Sequence, residues 1–174
     1  MKFILSFVGI GIVCLGIFLC GGQTGSTFNE DYMRIHIVAN SNSAVDQNIK
    51  YVVKDAVVSF LLPHLAEAET KEEAEDVIQQ NLQKIEEVAN LALDKQGAKY
   101  SAKVEITQED MPTRAYDDFV LEKGVYDCLK IELGAGDGDN WWCVVFPAVC
   151  FLDVKNSENV EYISKIWDII SNVI

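Results

Sequence analysis

The chain has 174 residues, enough for one domain with its own core once an N-terminal leader is set aside. It carries 27 acidic and 14 basic residues, a formal net charge of −13 at pH 7. Phosphate backbones and anionic lipid head groups repel such a domain, so the composition argues against binding to nucleic acid or to a membrane surface.

The first residues have the character of an export segment. Residues 3–20 form an almost unbroken apolar run behind a single cation, Lys2. A terminal run without a polar face is typical of a signal peptide or a membrane span. We therefore predict a signal peptide or membrane anchor over residues 1–22 and a flexible linker over 23–31. A single domain over 32–174 then lies outside the cytoplasm, secreted or anchored only through this segment.

The domain is predicted to begin with a strand and two helices. Alternating apolar residues indicate a strand over 33–40. Ser43, with Asp46 three residues later, resembles a capping box that starts a helix, and Pro63 is expected to end or kink this helix near Leu62.

A second capping box, Thr70 with Glu73, predicts another helix that runs to Gly97. Its outward face is acidic and reads as a solvated surface. The two helices are expected to form a hairpin with one flank on a sheet.

The second half is rich in strand patterns. Strands are predicted over 99–107, 115–121, 125–133 and 141–147, with a flexible glycine-rich loop over 134–140 and a last amphipathic helix over 157–172. The order of elements predicts an α+β fold, a single domain in which a helical hairpin and a C-terminal helix pack on a mostly antiparallel sheet.

One candidate for chemistry is a cysteine hydrolase. Cys143 would be the nucleophile and His36 the base, with Asn40 or Asp46 orienting the imidazole. The apolar residues around Cys143 argue against this site, because they raise the pKa of a thiol.

No cofactor or metal is predicted. The glycines of the 134–140 loop do not match a dinucleotide fingerprint, and the loop leads into a strand. Asp137 to Asn140 resembles the opening of a calcium loop but lacks the distal glutamate. A zinc set of His36, Cys143 and Cys150 lacks a fourth ligand.

Cys143 and Cys150 are the favoured disulfide pair, since a turn at Pro147 can bring them together. A loop this short gains only about 2–3 kcal/mol by chain entropy. Two reduced thiols are the alternative, and Cys128 is a competing partner.

A polar stretch follows the first strand. Arg34, His36 and Asn40 lie on the strand face opposite the apolar one, close to Asp46 and Lys50 in the sequence. This arrangement indicates either a recognition patch or a sheet face that is open to water.

Two long motifs resemble a known family. The first reads Arg34-x-His36-x-x-Ala39-Asn40-Ser41-x-Ser43-x-x-Asp46-Gln47-x-x-Lys50-x-x-Val53-Lys54-Asp55-Ala56-Val57. The second reads Asn140-Trp141-Trp142-Cys143-Val144-x-Phe146-Pro147-x-x-Cys150-Phe151-x-Asp153, preceded by Leu121-x-x-Gly124-x-Tyr126. Together they resemble stage II sporulation protein R over residues 32 to about 154.

The resemblance implies an exported signalling protein of endospore-forming bacteria, not an enzyme. Members of the family pass from the forespore into the intermembrane space. There they trigger a membrane-embedded aspartic protease, which removes the pro-sequence of sigma-E. No catalytic residue is implied, and the competing hypothesis remains an exported cysteine hydrolase.

The expected contact surface for the protease comes from both motifs. It comprises Arg34, His36, Asn40, Ser41, Asp46, Gln47, Lys50, Trp141, Trp142 and Pro147.

Overall fold

The computed structural model describes residues 31–116 and 119–147. In these ranges the elements are β1 (Met33–Val38), α1 (Ala44–Leu65), α2 (Lys71–Gln80), α3 (Leu82–Lys95), β2 (Ala102–Met111), β3 (Arg114–Tyr116), β4 (Phe119–Leu121), β5 (Gly124–Leu133) and β6 (Asn140–Phe146). The predicted leader and the predicted C-terminal helix lie outside these ranges. None of the helices described here is long and apolar enough to cross a membrane.

Four strands form the main sheet in the order β2-β5-β1-β6. β1 runs parallel to β5, while the β1–β6 and β2–β5 pairs are antiparallel. The short strands β3 and β4 pair with each other in a separate hairpin. The prediction of an α+β domain with a mostly antiparallel sheet is confirmed.

Both predicted helix starts are confirmed by their caps. The Asp46 N–H donates to the Ser43 hydroxyl at 3.1 Å, and the Glu73 N–H donates to the Thr70 hydroxyl at 3.2 Å. Each bond satisfies an N–H group that the first helical turn leaves without an intrahelical partner.

The predicted helix ends were wrong in two places. α1 continues through Pro63 to Leu65. The proline removes one backbone N–H donor, and burial of Leu65 favours the continued turn. The predicted second helix is two helices, α2 and α3, which meet at Asn81. There the Asn81 side chain donates to the Val77 carbonyl at 2.8 Å, and the Asn81 backbone leaves the helical conformation.

The predicted strands also needed correction. β2 begins at Ala102 and extends to Met111, beyond the predicted end at Thr107. The single strand predicted over 115–121 is the β3–β4 hairpin.

The three helices cover one face of the main sheet, called here the helix face. Its buried side chains include Ile35, Ile37, Val104, Leu129, Ile131, Cys143 and Val145 from the strands. The helices contribute Val53, Val57, Leu61, Ile78 and Ile85. Burial of each large aliphatic side chain contributes about 1.5–3 kcal/mol, so this layer is the main source of stability.

Candidate interaction surface

The opposite face of the main sheet, called here the polar face, carries side chains that alternate with those of the helix face. Strand register places on it Arg34, His36, Glu105, Glu109, Cys128, Lys130, Trp142 and Val144. His36 lies between Lys130 on β5 and Trp142 on β6, and Lys130 in turn pairs with Glu105 on β2.

Of the two interpretations of the polar stretch, that of a sheet face open to water was wrong for β1. Arg34 is fully buried and His36 is 8% exposed. β1 is an inner strand, and a second apolar cluster containing Tyr126, Cys128 and Val144 packs beside Arg34. The sequence pattern alone does not show which strands flank β1.

Arg34 is a buried guanidinium with an incomplete set of partners. Its Nη2 donates to the Tyr116 hydroxyl at 3.0 Å, and its central carbon lies 5.0 Å from the Tyr126 ring centroid. Within the described part of the chain, its Nε and Nη1 find no hydrogen-bond acceptor. A buried polar group in this state costs free energy, which the cation–π contact offsets only in part.

His36 is held by polar contacts at both ring nitrogens. Nδ1 lies 2.5 Å from Oε2 of Glu109, and Nε2 lies 2.8 Å from Oδ1 of Asn140. The other Glu109 oxygen pairs with Lys130 Nζ at 3.1 Å, and this bond raises the pKa of Lys130. With both nitrogens engaged, His36 is placed to orient its neighbours and not to accept a proton from a nucleophile.

An aromatic stack lies beside His36, on the side towards solvent. The His36 and Trp142 rings stack with centroids 5.4 Å apart. The exposed Arg114 guanidinium lies 4.5 Å from the Trp142 ring centroid. The polar face therefore ends in a half-buried tryptophan beneath an arginine, two residue types that are enriched at the hot spots of protein interfaces.

Asp46 ties the start of α1 to the end of β1. It accepts hydrogen bonds from the Ser41 hydroxyl at 2.5 Å, the Tyr100 hydroxyl at 2.6 Å and the Asn40 amide at 2.9 Å. These hydrogen bonds lower the pKa of Asp46 to about 2.

Lys50, one turn later in α1, ties this helix to the 134–140 loop. It is 1% exposed, and its ammonium donates to Oε1 of Gln47 and to the Asp139 carbonyl, both at 2.8 Å. Burial lowers the pKa of Lys50. The buried ammonium fixes the end of the 134–140 loop.

The loop that was predicted to be flexible is bonded along its length to the segment after β1. The Ala135 N–H donates to Oδ1 of Asn40 at 3.0 Å, and the Gly138 N–H donates to the Ala39 carbonyl at 2.9 Å. A Cβ at Gly134, where φ is +60°, would lie 2.2 Å from Asn40 Oδ1. The glycines therefore permit a close approach of two backbone segments.

The competing hypothesis, in which Cys143 pairs with His36, was wrong. In the β1–β6 register Cys143 lies opposite Ile35, while His36 lies opposite Trp142. Successive side chains of a strand point to opposite faces, so Cys143 lies in the helix-face core and His36 on the polar face. The same separation excludes a zinc set containing both residues.

The cysteines differ in state. Cys143 takes part in a disulfide bond, whereas Cys128 has a free, buried thiol whose pKa is raised by that burial. Cys128 is therefore not the competing partner. The pairing of Cys143 with Cys150 stays a prediction, because Cys150 lies outside the described residues.

The calcium-like stretch has another role in the structure. The Asp139 carbonyl accepts from the Lys50 ammonium, and the Asp139 N–H donates to Oδ1 of Asn42 at 2.7 Å. Across the described ranges, no three His, Cys, Asp or Glu side chains are grouped so that they could hold a metal ion.

The predicted contact residues fall into separate places. Arg34, Lys50 and Pro147 are buried, and Trp141 packs on the helix side under Lys54, 5.7 Å from Nζ to the ring centroid. Trp142 is half-buried on the polar face. Their role as contacts stays a prediction, but burial implies that Arg34 and Lys50 act by positioning other groups.

Sequence reasoning missed four residues of this surface: Glu109, Lys130, Arg114 and Tyr116. Glu109 lay two residues beyond the predicted end of its strand, so its alternation with Glu105 was not used. The other three depend on pairings between distant strands.

The family model described as stage II sporulation protein R matches residues 29–156. The chain belongs to the stage II sporulation protein R family. The matched residues include every helix and strand given above, and thus the polar face and the bonded loop.

A curated member of this family is similar over the same part of the chain. Stage II sporulation protein R of Bacillus subtilis (strain 168) is 40% identical over 129 residues, which cover 74% of this chain and 58% of the relative. The matched part thus spans less than two thirds of that relative. No solved structure matches.

Proposed function

We propose that this member of the stage II sporulation protein R family is an exported signal between the two compartments of a sporulating cell. It leaves the forespore, remains in the intermembrane space, and activates a membrane-embedded aspartic protease that processes pro-sigma-E. Membership of the family supports the role in sporulation.

One structural observation favours a binding role over the competing hydrolase. The two groups that a hydrolase would need, Cys143 and His36, lie on opposite faces of the sheet. His36 has both nitrogens occupied by Glu109 and Asn140. The arrangement of these polar groups therefore supports a binding surface better than a catalytic pair.

A signal of this kind acts by binding one state of the protease more tightly than another. A shift of the protease from 1% to 99% active needs a preference of about 10⁴-fold. The bonded 134–140 loop and the Trp142 stack are already ordered in the free chain, which lowers the entropy lost on binding. The net charge of −13 favours encounter with a basic exposed part of the protease.

The proposal is tested in vegetative cells that make the protease and pro-sigma-E but do not sporulate. The chain is expressed with its leader, and mature sigma-E is measured by immunoblot. The control is the same chain without residues 1–22. We expect processing with the leader and none without it. No processing by an exported, folded chain would contradict the proposal.

A single substitution separates signal from enzyme in the same cells. His36→Gln keeps a hydrogen-bonding side chain at the site but loses the imidazole stack on Trp142. We expect a partial loss of processing, because a binding surface loses only some of its contacts. Complete loss with the protein still folded and exported would favour a catalytic histidine.

A further inference from the structure

The outer edge of β2 is covered by helix α3 along its first half only. β2 is the terminal strand of the main sheet, and no other strand of the described ranges pairs with its outer side. The Ser101 carbonyl accepts from the Gly134 N–H at 2.9 Å, towards β5. The backbone N–H and C=O groups of successive residues alternate in direction along a strand. The backbone groups of the even-numbered residues of β2 therefore point outwards, away from β5.

Helix α3 occupies the first half of this edge. The Ala102 N–H donates to Oδ1 of Asn90 at 2.9 Å, and the Val104 N–H donates to Oε2 of Glu86 at 3.1 Å. These two side chains take the place of a neighbouring strand. They also confirm the outward direction of the even-numbered residues.

The second half of the edge has no such cover from α3. By the same alternation the backbone groups of Ile106, Gln108 and Asp110 point outwards, and Gln108 and Asp110 are exposed. Exposed strand edges of this kind accept an added strand from another chain.

The chemistry of the edge indicates what it binds. From Glu105 to Asp110 the strand carries three acids and no basic residue. Glu109 is already bonded to His36 and Lys130, which leaves Glu105 and Asp110 as the acids available to a partner. Glu105 pairs with Lys103 and Asp110 with Lys123, in each case between exposed side chains, and such surface pairs exchange readily.

We propose that the outer half of β2, residues 106–110, binds an extended segment of the protease that adds to the sheet as a fifth strand. The segment carries Lys or Arg on the side beside Glu105, and an apolar residue beside Ile106. This inference rests on the proposed function, since it names the surface through which the signal reaches its partner.

A second copy of the chain fits the edge poorly. Two β2 edges paired with each other would bring the acids of both copies together, between chains that each carry a net charge of −13. Like charges directly opposite each other in a sheet are destabilising. A basic partner strand has the opposite effect.

The test compares two substitutions at one position in the vegetative-cell assay. Gln108→Pro removes the outward N–H and blocks an added strand, while the backbone pairing of β2 with β5 is unaffected. Gln108→Ala loses the same side chain, including its 2.8 Å bond to Asp127, but keeps the N–H. We expect processing to fall at least about tenfold for the proline variant relative to the alanine variant at equal amounts of folded protein.

A charge reversal provides the second comparison, which decides the matter if the proline variant does not fold. Glu105→Lys reverses a charge beside the edge, and Glu87→Lys makes the same change on the exposed face of α3. We expect the first to lower processing and the second to leave it unchanged.

The outcomes separate the two proposals. If the wild-type chain fails to activate the protease, the proposed function fails and this inference fails with it. If the wild type is active while Gln108→Pro matches Gln108→Ala, or while Glu105→Lys matches Glu87→Lys, the edge inference alone is overturned.

Discussion

The two faces of the main sheet are built from the same strands but depend on different interactions. The helix face is filled by aliphatic side chains such as Ile35, Ile37 and Leu129, whose burial stabilises the domain. The polar face buries Arg34 and His36, which cost desolvation unless every polar atom is bonded. The difference indicates that the helix face is the main source of stability, and we propose that the polar face and its edge serve recognition.

The largest effect is expected from a cavity in the helix-face core. Leu61→Ala removes a fully buried side chain from α1 and should lower the free energy of unfolding by about 2–5 kcal/mol. The control is Leu91→Ala on α3, where the side chain is 55% exposed and the change should be under about 1 kcal/mol. Urea denaturation measures both. Equal effects would contradict the assignment of the core.

A smaller, pH-dependent effect is expected at Asp46. Its folded pKa of about 2 lies below the ordinary value of 3.8, so its contribution to stability is present above pH 4. The contribution is lost as the pH falls from about 4 to 2. Asp46→Asn should cost about 1–3 kcal/mol at neutral pH and weaken this acid dependence.

The measurement for Asp46 is the free energy of unfolding as a function of pH. Asp137→Asn, a change of the same type on the exposed part of the loop, is the control. An acid dependence that is identical in wild type and Asp46→Asn would contradict the role given to the Asp46 hydrogen bonds.

A still smaller effect is expected at Arg34. Arg34→Met removes the Tyr116 hydrogen bond and the contact with Tyr126, but it also removes two buried N–H groups without acceptors among the described residues. These changes offset each other, so the free energy of unfolding should change by less than about 1 kcal/mol. A loss of several kcal/mol by thermal denaturation would show that Arg34 is a net stabiliser.

The smallest expected signal is at Cys128. Its thiol is buried and its pKa is raised, so it should resist iodoacetamide in the folded chain and react after unfolding in urea. Peptide mass spectrometry follows the modification and also tests whether Cys143 is bonded to Cys150. Rapid alkylation of Cys128 in the native chain would contradict its buried position.

The sequence supports prediction of the parts of the fold that local patterns determine. The caps at Ser43 and Thr70 and the strand patterns near β1, β5 and β6 were predictable, because hydrogen-bonding side chains and alternation act over a few residues. The break at Asn81 was not, because one asparagine has a weak signal in an otherwise helical pattern.

The candidate surface was predictable only in part. His36 and Trp142 were identified from the family motifs, but their stacking depends on the β1–β6 register. The burial of Arg34 depends on the inner place of β1 in the sheet, and the partnership of His36 with Glu109 joins β1 to the more distant β2. Such contacts between distant segments have no local sequence pattern.

We propose that the helix face stabilises the domain, while the polar face and its edge bind the protease. The most direct test measures sigma-E processing and folded, exported protein together in the vegetative-cell assay, for Leu61→Ala and Trp142→Ala. We expect Leu61→Ala to lower processing only in proportion to the loss of folded protein, and Trp142→Ala to lower processing per folded molecule. Processing per folded molecule that is unchanged in Trp142→Ala, or reduced equally in both, would contradict it.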